Sequence, residues 1–197
     1  MLIYLIRHGE TTGDVEDRYG GDYDDHLTDK GKKQAEELSS KLANKGIEVI
    51  FASSFIRAQE TALILQNKLK VKIKTVNDIR ERNLYGILTG MVKSEARKKY
   101  PELVERLKNT QDTIEGAESW ESFVKRIMDS LLEIANMKYK TVAIVTHGGP
   151  IRRVFGEFLE IRKEITEIKI ADCAYAVLEY KDGKFNLKEK VGIEFVK

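Results

Sequence analysis

The chemistry in this chain gathers at two histidines in matching settings, His8 in YLIRHGE and His147 in AIVTHGG. Each directly follows an apolar run and directly precedes a glycine. Such a run reads as a strand covered on both faces. In a parallel sheet these strands open on one edge, where ligands bind, so two of them can bring both imidazoles into one crevice. Taken singly, each histidine also reads as a satisfied side chain capping a strand end; the matched pair, with Arg7 and glycines beside it, favours the crevice. Gly9 and Gly148 let a ligand approach the backbone and leave N–H groups facing it. Gly148-Gly149-Pro150 opens a helix whose dipole favours an anion. Arg57 falls in the first turn of another helix leaving the same sheet edge, a position that by itself also fits a surface ion pair. Two guanidiniums and two imidazoles beside helix N-termini suit a compact dianion, most simply a phosphoryl group, because arginine grips phosphate in bidentate fashion.

The elements that must position these groups follow from periodicity. Leu2 to Ile6 is the first buried strand, and residues 7–27, without a period and carrying Gly13, Gly20 and Gly21, read as a long functional loop. Thr28 caps a helix with Ala35, Leu38 and Leu42 on one stripe, closed by Gly46. Ile47 to Ala52 is a second strand. Ser53 or Ser54 caps the following helix, with Ala58, Thr61, Ala62, Leu65 and Leu69 on one face. Val71 to Val76 alternates as a half-exposed strand, 77–93 is irregular, and helical pattern resumes over 94–108 with a break near Pro101. Ser119 to Asn136 is the clearest helix, its core face set by Trp120, Phe123, Val124, Ile127, Met128, Leu131 and Ala135. Val142 to Val145 is a strand, followed by a helix to about Leu159. The tail reads as two or three strands around a hairpin at Lys181-Asp182-Gly183-Lys184. Alternating strands and helices predict an α/β fold: a three-layer α/β/α sandwich, mostly parallel, with an antiparallel edge strand from the tail.

At 197 residues the chain has room for one domain, 1–197, large enough to bury a core without staples. Its 34 Lys and Arg against 32 Asp and Glu give a net charge of +2, without the basic excess of a nucleic-acid binder. The single cysteine, Cys173, excludes an internal disulfide framework and any thiolate-built metal site. The N-terminal apolar run is too short for a secretory signal or a membrane span. The expectation is a soluble cytoplasmic monomer or homodimer that takes a small phosphorylated substrate, with no nucleic acid, membrane, metal or cofactor partner.

LIRHGET (5–11), SFIRAQETA (54–62), Glu81 upstream of YGILTG (85–90), GAES (116–119) and VTHGGPIR (145–152) together resemble the histidine phosphatase superfamily, of phosphoglycerate mutase-like fold, in order and over nearly the whole chain. The resemblance is to its small phosphatase branch. It implies that His8 attacks phosphorus and forms a phosphohistidine that water hydrolyses, a division of the reaction that avoids one very slow step. Arg7, Arg57 and His147 would neutralise the equatorial oxygens. Glu81, by the same resemblance, protonates the leaving oxygen once substrate is bound.

Other positions differ from the family's pattern. Asp14 stands where the family usually has asparagine; an ionised carboxylate cannot donate to phosphate, so it either turns away to pair with Arg18 or weakens phosphate binding. Glu81 lies one residue further from Tyr85 than is common. His26 reads as a loop residue. RYGGDYDDHLTDKG (18–31), with Gly20 and Gly21, and ERNLYGILTGMVK (81–93), with Tyr85, resemble mutase substrate loops, and Lys93 falls where mutases hold a substrate carboxylate. Lys93 and Arg97 hint at a second anionic group on the substrate, or are solvated helix surface. Against a mutase, the paired arginines before GAES are missing, Gly149 replaces the asparagine after HG, and the water-excluding tail is short. A phosphatase is therefore the favoured reading. A cofactor-dependent phosphoglycerate mutase and a non-catalytic phosphate-binding pseudoenzyme are the alternatives; a metal-dependent hydrolase lacks ligand clusters at suitable spacing.

Overall fold

The computed structural model describes residues 1–109, 111–159, 161 and 167–196. Its strands are β1 (Leu2–Arg7), β2 (Val49–Ser53), β3 (Lys72–Val76), β4 (Thr141–Thr146), β5 (Glu167–Lys181) and β6 (Lys184–Val196). Its helices are α1 (Thr12–Val15), α2 (Asp29–Leu42), α3 (Ile56–Leu69), α4 (Lys93–Lys99), α5 (Pro101–Arg106), α6 (Trp120–Ala135) and α7 (Gly148–Glu157). The strands form one sheet in the order β3-β2-β4-β1-β5-β6. The first four are parallel, and β5 and β6 are antiparallel.

Strand alternation splits the core into two layers. Ile3, Leu5, Phe51 and Ile144 face Phe123, Ile127 and Leu131 of α6 and Ile151, Val154 and Phe155 of α7. Tyr4, Ile6, Ile50 and Val145 face Leu38 and Leu42 of α2 and Ala58, Ala62 and Leu65 of α3. Because β1 and β4 are covered on both faces, their sequences are apolar throughout. A smaller cluster of Tyr19, Leu88, Ala96 and Ile114 ties residues 85–117 over the C-terminal edge of the sheet. No helix among the described residues is long and apolar enough to cross a membrane.

Two local expectations are corrected. The 7–27 loop contains the turn α1, which Thr11 and Asp14 close reciprocally as a capping box. The helix after β2 starts at neither serine: its N-cap is Phe55, and the side chain of Asp24 accepts the Ile56 N–H at 2.7 Å. Ser53 stays in β2, where its hydroxyl has another use.

Candidate active site

Register brings the two histidines together. β1 and β4 pair in parallel with Arg7 opposite Thr146, so the next residue of each strand leaves the sheet at the same level. The His8 N–H continues the ladder to the Thr146 carbonyl at 3.1 Å. The rings of His8 and His147 meet edge-on with centroids 5.0 Å apart.

His8 is held on several sides. Its Nδ1 lies 2.8 Å from the Gly9 carbonyl oxygen, which can only accept. Nδ1 therefore carries the hydrogen, and the Nε2 lone pair is left for chemistry. Thr61 of α3 takes the Gly9 N–H at 3.2 Å, and the Cys173 N–H donates to the His8 carbonyl at 3.0 Å. Burial first, then the positive charges of Arg57 and Arg7, push the His8 imidazole well below its ordinary value of 6.5.

Gly9 thus serves a different end from the phosphate contact expected of it. Its N–H is spent on Thr61, it does not line the cavity, and a Cβ there would come 2.5 Å from the Gly31 carbonyl. Its carbonyl orients His8 instead.

His147 is also repositioned relative to expectation. Arg57 Nε donates to its Nδ1 at 3.2 Å, so its Nε2 carries the hydrogen and donates to Ser53 Oγ at 2.8 Å. The ring is wholly buried and outside the cavity lining, with both nitrogens occupied. It therefore stands behind Arg57 and braces it. Burial, followed by Arg57, lowers its pKa well below 6.5.

Arg57 lies in the first turn of α3, as predicted, and is only 4% exposed. Besides His147 it holds the Tyr23 carbonyl at 2.6 Å, Asp25 at 3.0 Å and the Gly21 carbonyl at 3.0 Å. Four of its five N–H groups are taken in this way, which fixes the guanidinium before any ligand arrives and leaves one Nη2 hydrogen. Arg7 donates to the Ile170 carbonyl at 2.6 Å and pairs with Asp172 at 3.2 Å. Both partners come from β5, where residues 171–174 bulge out opposite Gly192.

Asp14 does not turn away to Arg18: it lines the cavity with Oδ1 4.0 Å from Arg7 Nη2, and Thr11 takes its other oxygen. Its Oδ2 accepts from the Thr11 N–H at 3.1 Å and hydroxyl at 2.9 Å, while Arg18 bonds Glu16 and the Gly90 carbonyl. A capping box offers that carboxylate two donors close in sequence, which Arg18 cannot match.

Glu81 sits over the start of α7. Its Oε2 accepts the Gly149 N–H and its Oε1 the Arg82 N–H, both at 2.8 Å. A Cβ at position 149 would lie 1.9 Å from Oε1, so the asparagine of mutases would expel this carboxylate from its seat. Arg126 locks the loop beneath it by donating to the carbonyls of Asp78, Arg80 and Glu81 while pairing with Glu118.

These groups border a cavity of about 430 Å³, in the size range of small-molecule sites. Of the predicted residues, Arg7, His8, Asp14, Gly20, Gly21, Arg57, Glu81, Tyr85, Lys93 and Gly148 line it. Tyr85 packs on Tyr19, and burial pushes its hydroxyl up to about 12. Lys93 is tied to Asp17 at 2.6 Å on the rim. Among the described residues, no group of His, Cys, Asp or Glu is placed to hold a metal ion.

Sequence reasoning missed Asp25, Ser53, Arg126 and Asp172, which hold the groups above, and Arg82, Trp120, Arg152 and Arg153, which line the cavity's other end. Nothing in their spacing marks the first four. VTHGGPIRR places Arg152 and Arg153 on the helix that leaves His147, and that signal was there to be read.

Fold and site together define a phosphoglycerate mutase-like phosphoryl-transfer protein. Residues 3–191 match the model of the histidine phosphatase superfamily, branch 1, and the chain belongs to that family. It is 31% identical, over 93% of this chain and 78% of the relative, to a metal-independent phosphoserine phosphatase of Arabidopsis thaliana. It is 33% identical, over 92% and 80%, to a phosphoglycerate mutase-like protein 4 of the same plant. Among solved structures it resembles YhfR of Bacillus stearothermophilus, with a TM-score of 0.83, 26% identity and 94% of each chain covered.

Proposed function

We propose that this protein is a phosphomonoester hydrolase that works through a phosphohistidine on His8, without a metal ion, on small phosphorylated metabolites. The observation that carries the reading is the free Nε2 of His8, neutral and facing a cavity bounded by two fixed guanidiniums. In the first step Nε2 attacks phosphorus, the ester P–O bond breaks, and the Glu81 carboxyl gives its proton to the departing oxygen. In the second, water attacks phosphorus, the carboxylate of Glu81 takes its proton, and the P–N bond breaks to return neutral His8. Arg7 and Arg57 hold the oxygens in both steps; their charge does the work that a cation would otherwise do. His147 keeps Arg57 aimed.

Phosphatase is favoured over mutase by Gly149, which leaves the Glu81 carboxylate room over the start of α7. The phosphoserine phosphatase relative supports it as well. The lone cysteine fits a cytoplasmic protein. Hydrolysis of p-nitrophenyl phosphate in excess EDTA, abolished in His8→Ala, is the expected result. Inhibition by EDTA that added metal reverses would contradict the metal-free step. Interconversion of 2- and 3-phosphoglycerate faster than release of phosphate would overturn the phosphatase reading in favour of a mutase.

A further inference from the structure

The cavity wall includes a buried guanidinium, that of Arg153, one of whose nitrogens has no hydrogen bond. The side chain of Arg153 is 5% exposed, yet its Nη1 has no hydrogen-bond partner, alone among buried side-chain polar atoms of the described residues. Glu157 Oε1 lies 3.6 Å away, too far for a hydrogen bond, and its side chain reaches solvent. The guanidinium is held in place by the Trp120 indole, whose ring centroid is 4.2 Å from its central carbon. Arg82 approaches the same indole at 5.5 Å. A buried charged donor without a hydrogen bond is costly, and such costs accompany sites where a ligand completes the bonding.

Charge along the wall points to the ligand's chemistry. The acidic residues lining the cavity are Asp14, Asp25 and Glu81, and each already has donors elsewhere. Arg152 and Arg153 line it with no acid of their own among the lining residues. Resting on the hydrolase reading above, we infer that Arg153, stacked on Trp120, is a specificity residue that binds a second anionic group of the substrate, a carboxylate or a further phosphoryl group. The substrate class is thus a phosphomonoester that carries its second anion on a spacer. A flat or apolar spacer would rest against Trp120 and Leu84.

Phosphonates, which bind without turning over, test this by calorimetry. Benzylphosphonate, 4-carboxybenzylphosphonate and the corresponding 1,4-bisphosphonate are titrated into the wild-type protein and Arg153→Gln. The second anion on the ring should tighten binding at least about tenfold in the wild type, and Arg153→Gln should erase that ratio. Whichever of the two ring compounds gains more identifies the anion. General loosening of the site moves every Kd together and leaves the ratio intact, which would overturn the assignment, as would a wild-type ratio near one. If Arg153→Gln does not fold, Glu157→Gln serves: removing the nearby acid should raise the ratio about two- to threefold, and an unchanged ratio overturns the proposal. Binding of benzylphosphonate with no gain from the second anion defeats this inference alone; no binding of any phosphonate defeats the hydrolase reading with it.

Discussion

His8 and His147 leave paired parallel strands at the same level, each precedes a glycine, and each is buried. Their rings lie 5.0 Å apart and are held neutral by burial and by Arg57. They differ in what surrounds their nitrogens. His8 is given one carbonyl acceptor, from Gly9, and its second nitrogen opens on the cavity. His147 is given a donor and a hydroxyl, from Arg57 and Ser53, and has no nitrogen left. Equal sequence settings therefore leave one ring with a nitrogen open to the cavity and make the other a buried strut, and neighbours from β2 and α3 decide which.

Substitution should break that symmetry strongly. His8→Ala is expected to lower kcat for p-nitrophenyl phosphate by about 10⁴-fold or more, since it removes the atom that bonds to phosphorus. His147→Ala should cost nearer 10²-fold, by releasing Arg57 from its aim. Steady-state kinetics on both variants checks this, and equal losses would mean that the two rings share one role.

Gly149→Ala sharpens the contrast at the start of α7. Its new methyl would occupy the position of the Glu81 carboxylate, so hydrolysis of an alkyl phosphate should fall by about 10²-fold. p-Nitrophenyl phosphate, whose leaving group needs little protonation, should lose far less. Comparable losses on both esters would remove Glu81 from the role of acid.

The stability of the fold should report the neutral rings as well. Folded His8 and His147 stay unprotonated, whereas in the unfolded chain they take protons near pH 6.5. Below that pH the unfolded state binds more protons, so stability falls as pH falls, by up to about 1.4 kcal/mol per pH unit for each ring. His26 acts in the opposite sense: Glu60 raises its pKa, so its contribution is present in acid and lost as pH rises, but the pair is exposed and its share is small. Urea midpoints between pH 7 and 5 measure the sum, and a flat profile would contradict buried neutral imidazoles.

The layered sheet, the clearest helix and the meeting of His8, His147 and Arg57 were legible because they follow from local pattern: apolar runs, a 3.6-residue stripe, and glycine after each strand; Glu81 came from the family resemblance. What stayed hidden depends on long-range partners. Asp25 and Asp172 hold Arg57 and Arg7 across 32 and 165 residues of chain. Ser53 reads as a helix cap until His147 is seen to claim its hydroxyl. Asp14 was placed beside Arg18 because sequence spacing could not show that Thr11 offers it two donors first. VTHGGPIRR puts Arg153 on the helix that leaves His147, but its burial against Trp120 is not visible in spacing, since an arginine on a helix is ordinarily solvated.

Rapid quenching of the enzyme with phosphorus-labelled substrate, followed by alkaline work-up and tryptic mapping, tests the central claim most directly. The label should appear on His8, in the fragment HGETTGDVEDR, attached through Nε2. Label on TVAIVTHGGPIR, which carries His147, or release of phosphate with no labelled protein at any time, would contradict it.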